Sequence, residues 1–299
     1  MSDDGTDIRD YLMSRTKLVW ENNIGEIEID QWRDNFKGEF SGLSEERRTA
    51  DELLVNFIYY NAKEIEFLCK AVFSMFRQEV LRNLVLTGTP LDNANKDLTD
   101  YIAGCRFVGV GRPSESGYHL LYHLRQQNSL PVDQFNVRRI DNGVHSLIFF
   151  DDFLGTGDSA IETWKSKEYV AMRKRLTSLN SYLMVLVAAR AAVSRIEDET
   201  EMKVICPQVL DEEYRVFSAR SLIFPERDRR ASARKICELY GMRLAPDSPL
   251  GYGDAQLLIG FHHNVPDNTL PVVWSNAHGW QPLIKRRLKY SLPRRRRKS

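Results

Sequence analysis

The sequence predicts an α/β protein, a mainly parallel sheet flanked by helices, with a helical N-terminal region in front of it. Residues 1–83 repeat apolar positions at helical spacing. From residue 84 onward, short apolar runs alternate with helical patterns, the order expected of parallel strands joined by crossover helices. One of those runs, Leu147–Phe150, is continuous rather than alternating, as in a central strand covered on both faces.

Taken in order, Asp7 is placed to cap a first helix carrying Ile8, Tyr11, Leu12 and Leu18, and Ile29–Phe36 forms a second, closed by Gly38. From Ser44 to Leu86 the apolar repeat meets neither glycine nor proline and reads as helix throughout. Residues 84–98, LVLTGTPLDNANKDL, form a turn-rich join. They divide a helical region (1–83) from an α/β domain (84–290), which a basic tail (291–299) follows. Beyond the join, Arg106–Gly111 reads as a strand, Tyr118–Gln126 as a helix and Asn136–Ile140 as a short strand. Ser146–Phe150 is a strand followed by a helix, and Tyr182–Ala188 a strand running into another. Met202–Cys206 is a further strand, Arg227–Tyr240 a helix, and Gln256–Phe261 and Pro271–Trp274 late strands.

Composition narrows the classes of function. With 299 residues, 42% hydrophobic and 28% charged, the chain can bury a core without staples. A net charge of +1 excludes a whole-molecule polyanion binder or acidic mimic. Cys69, Cys105, Cys206 and Cys237 lie far apart without zinc-ligand spacing and read as reduced, mostly buried thiols. The start, MSDDGTDIRD, is unlike a secretory signal, and the apolar run from Tyr182 is broken by Arg190, too short to span a bilayer. A cytoplasmic protein with no membrane partner is expected.

The stretch that carries chemistry is LIFFDDFLGTGDSA, residues 147–160: an apolar strand, two adjacent carboxylates, then a glycine-rich turn. Ser159 with Glu162 has the spacing of a capping box, and N–H groups at a helix start beside the Thr156 and Ser159 hydroxyls would cradle a phosphate. GTGDSA fits a dinucleotide fingerprint in form, yet Arg173–Leu183 lacks the acid that should follow about 20 residues on. A P-loop needs a lysine that is absent, and the spacing of an EF-hand fails.

Asp151-Asp152-Phe153-Leu154-Gly155-Thr156-Gly157-Asp158-Ser159 resembles the phosphoribosyl-diphosphate-binding signature of the type I phosphoribosyltransferase superfamily. The resemblance implies that Asp151 and Asp152 accept the 2′ and 3′ hydroxyls of a ribose and that Gly155–Ser159 holds its 5′-phosphate. Adjacent acids also favour Mg²⁺, a hard cation that would relieve their repulsion. A second segment, FVGVGRPSESGYHLLYHLR (Phe107–Arg125), is a strand, a loop and a helix. In the resembled family such a segment holds the pyrophosphate, with Arg112, Ser114 and Ser116 as its side chains here and Gly111 and Gly117 supplying unusual backbone geometry. PLGYGDAQLLIGFHHNVPDNTLPVVWS (Pro249–Ser275) resembles bacterial members associated with defence and conflict systems, which implies a role in antiphage defence.

Two positions depart from the family pattern. Gly155 stands where a threonine or an aspartate acting as general base is often found, which argues against purine salvage by that route. Asp158 puts a carboxylate beside the phosphate position, at a cost unless it points away or caps the helix. Asp158 also favours a second reading, a non-catalytic sensor of nucleotides or ribose phosphates that regulates a partner protein through the N-terminal helices. A third, nucleic-acid binding through the tail Arg294–Lys298, has no base-reading motif beside it. His119 and His123 share a helix face without a third ligand, and His262 and His263 fall at a predicted strand end near the site.

Overall fold

The computed structural model describes residues 4–111, 116–136, 143–175 and 179–286. Arg112, Ser114, most of the expected strand Asn136–Ile140 and the tail 291–299 lie outside them. The helices α1 (Asp4–Leu18), α2 (Glu26–Arg33) and α3 (Leu43–Asn56) lead to a short strand β1 (Ile58–Tyr60) and the long helix α4 (Ala62–Leu86). After α5 (Ala94–Ala103) the chain alternates: β2 (Cys105–Gly109), α6 (Ser116–Gln127), β3 (Ser146–Leu154), α7 (Asp158–Lys165), α8 (Lys167–Arg175), β4 (Asn180–Ala189) and α9 (Arg190–Glu199). The strands β5 (Lys203–Ile205) and β6 (Gln208–Leu210), helix α10 (Arg227–Leu244), strand β7 (Ile259–Phe261) and one-turn helix α11 (Pro271–Trp274) follow.

The strands β2, β3, β4 and β5 pair in that order, and β6 takes the far end of β4; every pairing is parallel. The fold class is α/β, as the alternating pattern predicts. On β3, Leu147 and Phe149 pack with α7, α8 and α9, whereas Ile148 and Phe150 pack with α4 and α6. This is why the run has no polar alternation: both faces of a central parallel strand are covered.

The expected continuous helix from Ser44 to Leu86 is broken, because Phe57 turns extended and Ile58–Tyr60 pairs in parallel with β7. A capping box restarts the helix: the Asn61 side chain accepts the Glu64 N–H at 2.9 Å, and Glu64 Oε2 accepts the Asn61 N–H at 2.8 Å. Pro271–Trp274 is likewise helix rather than strand. Proline at the first helical position has the right φ already and loses no hydrogen bond. The indoles of Trp32 and Trp280 both donate to the Val272 carbonyl, at 2.6 and 2.9 Å, tying the N-terminal helices to this turn. The late strand from Gln256 shortens to Ile259–Phe261.

A buried acid secures the junction of α3 and α10. Glu46 is fully buried and accepts the N–H groups of Gly38, Phe40 and Ser41 at 2.6, 2.7 and 3.1 Å, and the Tyr240 hydroxyl at 2.6 Å. Burial pushes this carboxyl up, but the tyrosine and the three N–H donors outweigh it and hold it below the ordinary glutamate range. A native value below the unfolded one adds stability above the unfolded value and loses it as pH falls through the native value. Glu46→Gln should therefore cost about 1–3 kcal/mol in urea unfolding at pH 7. The difference from the parent protein should shrink once pH drops below about 4.3, the unfolded glutamate value.

Candidate functional site

The site forms where neighbouring strands send their helices to opposite faces. From β2 the chain passes to α6, whose Leu120, Leu121 and Leu124 pack on the α4 side of the sheet. From β3 it passes to α7, whose Ala160, Ile161 and Trp164 pack on the other side. In open α/β sheets ligands gather at such a switch point, beyond the carboxyl ends of the strands. Strand β3 also outruns β2: their last register pair is Gly109 with Phe150, whereas β3 continues along β4 to Leu154 with Ala188. Asp151 and Asp152 are the first residues past the end of β2.

Close backbone packing brings the start of α6 to this tip. A Cβ on Gly117 would lie 2.8 Å from the Phe150 carbonyl oxygen and 3.0 Å from both Val110 N and O. One on Gly109 would lie 2.6 Å from the Tyr118 ring. Gly111 has φ +81, an unusual backbone geometry that favours glycine, and its N–H donates to Thr163 Oγ1 at 3.0 Å. Ser116, expected in the loop, is the first residue of α6, which starts two residues before the expected Tyr118.

The two acids are differently held. Asp151 is half-buried and its Oδ1 accepts the Asp152 N–H at 3.0 Å. Asp152 is 6% exposed; its Oδ1 accepts the Phe153 N–H at 2.9 Å and its Oδ2 meets His263 Nε2 at 2.6 Å. These contacts fix the orientation of the Asp152 carboxylate. His263 follows β7, whose Phe261 packs on Phe153 at 6.2 Å between ring centroids. Two candidates stood at this strand end in the sequence, and the structure selects His263.

The turn after β3 is packed under the C-terminal segment. Gly155 faces the Asn268 amide, where a Cβ would lie 2.0 Å from Oδ1, and a Cβ on Gly253 would lie 2.7 Å from the Thr156 methyl. Gly157, at φ +88, is the residue before α7, so the helix starts with Asp158 and not behind a Ser159 cap. The expected Ser159–Glu162 capping box is absent for that reason: Ser159 lies inside the helix, and its carbonyl accepts Thr163 Oγ1 at 2.7 Å.

Asp158 turns back over the loop. Its Oδ2 accepts from Thr156 Oγ1 at 2.8 Å and from the Tyr252 hydroxyl at 3.0 Å, and its Oδ1 accepts from Arg195 Nη1 at 2.7 Å. Arg195, followed by Thr156, holds the Asp158 carboxyl below the ordinary aspartate range against the upward push of burial, and Tyr252 adds to the depression. The departure noted in the sequence is thus compensated by a cation from α9 and a phenol from the Gly251–Gly253 turn. Neither could be assigned to this turn from local sequence.

The remaining chemistry is quiet. Burial pushes all four thiols up to about 12, which leaves them protonated and unsuited to act as nucleophiles at neutral pH. Among the described residues no group of three or more His, Cys, Asp or Glu side chains gathers to hold a metal, and no helix is long and apolar enough to cross a membrane. Because Gly117 meets rigid backbone, Gly117→Ala should cost about 1–3 kcal/mol of unfolding free energy by overpacking. Denaturant titration of the variant checks this.

The PRTase-CE family model matches residues 29–286, from within α2 to the end of the described chain. No curated protein matches. A match over that much of the chain, together with the parallel sheet and the acid pair at its switch point, places the protein: it belongs to the PRTase-CE family and is phosphoribosyltransferase-like.

Proposed function

We propose that the protein binds phosphoribosyl diphosphate or a related ribose phosphate across the tip of β3. The observation that carries this is the position of Asp151 and Asp152, just past the end of β2 at the switch point of a phosphoribosyltransferase-like sheet. Their carboxylates would accept the ribose hydroxyls, and the 5′-phosphate would meet the first turn of α7, whose leading N–H groups have no intrahelical partner. The start of α6, brought against Phe150 by Gly117, would face the pyrophosphate.

Asp151 and Asp152 offer the hard oxygen donors that Mg²⁺ prefers, and with no third protein carboxylate beside them among the described residues the remaining ligands would be diphosphate oxygens and water. Bound there, Mg²⁺ would offset the charge on the departing pyrophosphate. The chain's own tasks would be positioning and charge stabilisation: His263 orients Asp152, and Asp152 fixes the sugar while the C1–O bond loosens. A role in bacterial antiphage defence is part of this reading and rests on the likeness of Pro249–Ser275 to defence-associated proteins.

A non-catalytic sensor is the second reading, and one observation favours it: the turn meant for phosphate already holds the Asp158 carboxylate. The same experiment separates the two. Calorimetry with phosphoribosyl diphosphate and Mg²⁺ should show saturable binding, and Asp152→Asn should weaken it about 10- to 100-fold, the equivalent of about 1.4–2.8 kcal/mol. Pyrophosphate release over candidate acceptor bases, lost in Asp152→Asn, marks the enzyme, and binding without release marks the sensor. Absence of binding in the parent protein would rule out both.

A further inference from the structure

Asp158 places a carboxylate in the turn where the proposed ligand would put its phosphate, and it is not turned away from that turn. The donors that it collects come from three separate parts of the chain. Thr156 Oγ1 belongs to the turn itself, Arg195 Nη1 to α9, and the Tyr252 hydroxyl to the glycine-flanked turn of the C-terminal segment. A hydroxyl, a phenol and a guanidinium converging on the first turn of a helix are the groups that a phosphate monoester recruits. Here the protein's own anion holds them.

We propose that Asp158 is an intramolecular competitor for the ligand's 5′-phosphate, and that Arg195 is the cation handed from Asp158 to that phosphate when a ribose phosphate binds. The inference rests on Gly155–Ser159 being the phosphate turn of the proposed site. A dianion cannot share these donors with a carboxylate at hydrogen-bonding distance, because the like charges repel. Entry therefore requires the Asp158 side chain to rotate outward while its donors re-form on the phosphate. Arg195 is held independently of Asp158: Nη1 also donates to the Thr156 carbonyl at 2.9 Å, and Nε to Glu199 at 2.8 Å. The guanidinium thus stays at the turn when the carboxylate leaves. In the parent protein the phosphate contributes only the difference between two anions competing for one set of donors, so phosphorylated and unphosphorylated sugars are poorly distinguished.

The test is a comparison of ribose with ribose 5-phosphate as ligands of the full chain, by calorimetry or NMR titration, in the parent protein and in Asp158→Asn. The asparagine keeps an oxygen for Thr156 and Tyr252 and removes the charge. The parent should prefer the phosphorylated sugar by less than about tenfold, and Asp158→Asn should bind ribose 5-phosphate at least about tenfold tighter than the parent while ribose changes less than about twofold. Adding Arg195→Gln to Asp158→Asn should remove the gain. Equal or weaker binding of ribose 5-phosphate by Asp158→Asn overturns the competitor and leaves the site standing. No sugar-phosphate binding by either protein overturns the site as well. Should Asp158→Asn fail to fold, Asp158→Ser, uncharged at the first helical position, carries the same expectations.

Discussion

The candidate site depends on the unequal lengths of two parallel neighbours. Strand β3 lies between β2 and β4, and β2 leaves it at Phe150 while β4 keeps pairing to Leu154. The strand therefore carries two carboxylates beyond one partner while its backbone is still held by the other. The opposite routes of α6 and α7 keep the space in front of those carboxylates from being filled by a helix. A longer β2, or a crossover returning α6 to the α7 face, would bury the acids in a sheet that could not tolerate them.

At that tip Asp152 and Asp158 are each paired with specific groups. Asp152 meets His263, and Asp158 meets Arg195 and Tyr252. Two of these three partners lie in the segment from Pro249 to Ser275, which also packs Asn268 on Gly155 and Gly253 on Thr156. The C-terminal segment thus packs over the turn that follows β3. It shares a core with α1–α3, through Leu250, Leu270, Val272 and Val273, so the segment is braced by the N-terminal helices. A ligand that disturbs Tyr252 or His263 has a packed route to those helices, which is the physical content of a sensing role.

The parts legible in sequence were those whose cause is local. The doubly covered strand shows as an unbroken apolar run, whereas the helix start was placed two residues late, at Ser159 instead of Gly157. The acid pair and its turn were readable for the same reason. The break at Phe57–Asn61 had a local signal, Asn61 with Glu64, that was outweighed by an apolar repeat continuing on both sides. The helix at Pro271 had the proline in the right place, but its two valines suit a strand equally well. What could not be read was which side chains pair across space. His263 is 111 residues from Asp152, Tyr252 is 94 from Asp158, and Arg195 is 37 from it. No period or motif links such positions; only the folded sheet does.

The claim at the centre is that a sugar phosphate lies across the end of β3, and amide mapping by NMR tests it most directly. Adding ribose 5-phosphate to the isotope-labelled chain should shift the backbone amides of Asp151–Ser159, together with those at the start of α6 and around Tyr252 and His263. Saturable shifts elsewhere, with the β3 tip unmoved, would contradict it.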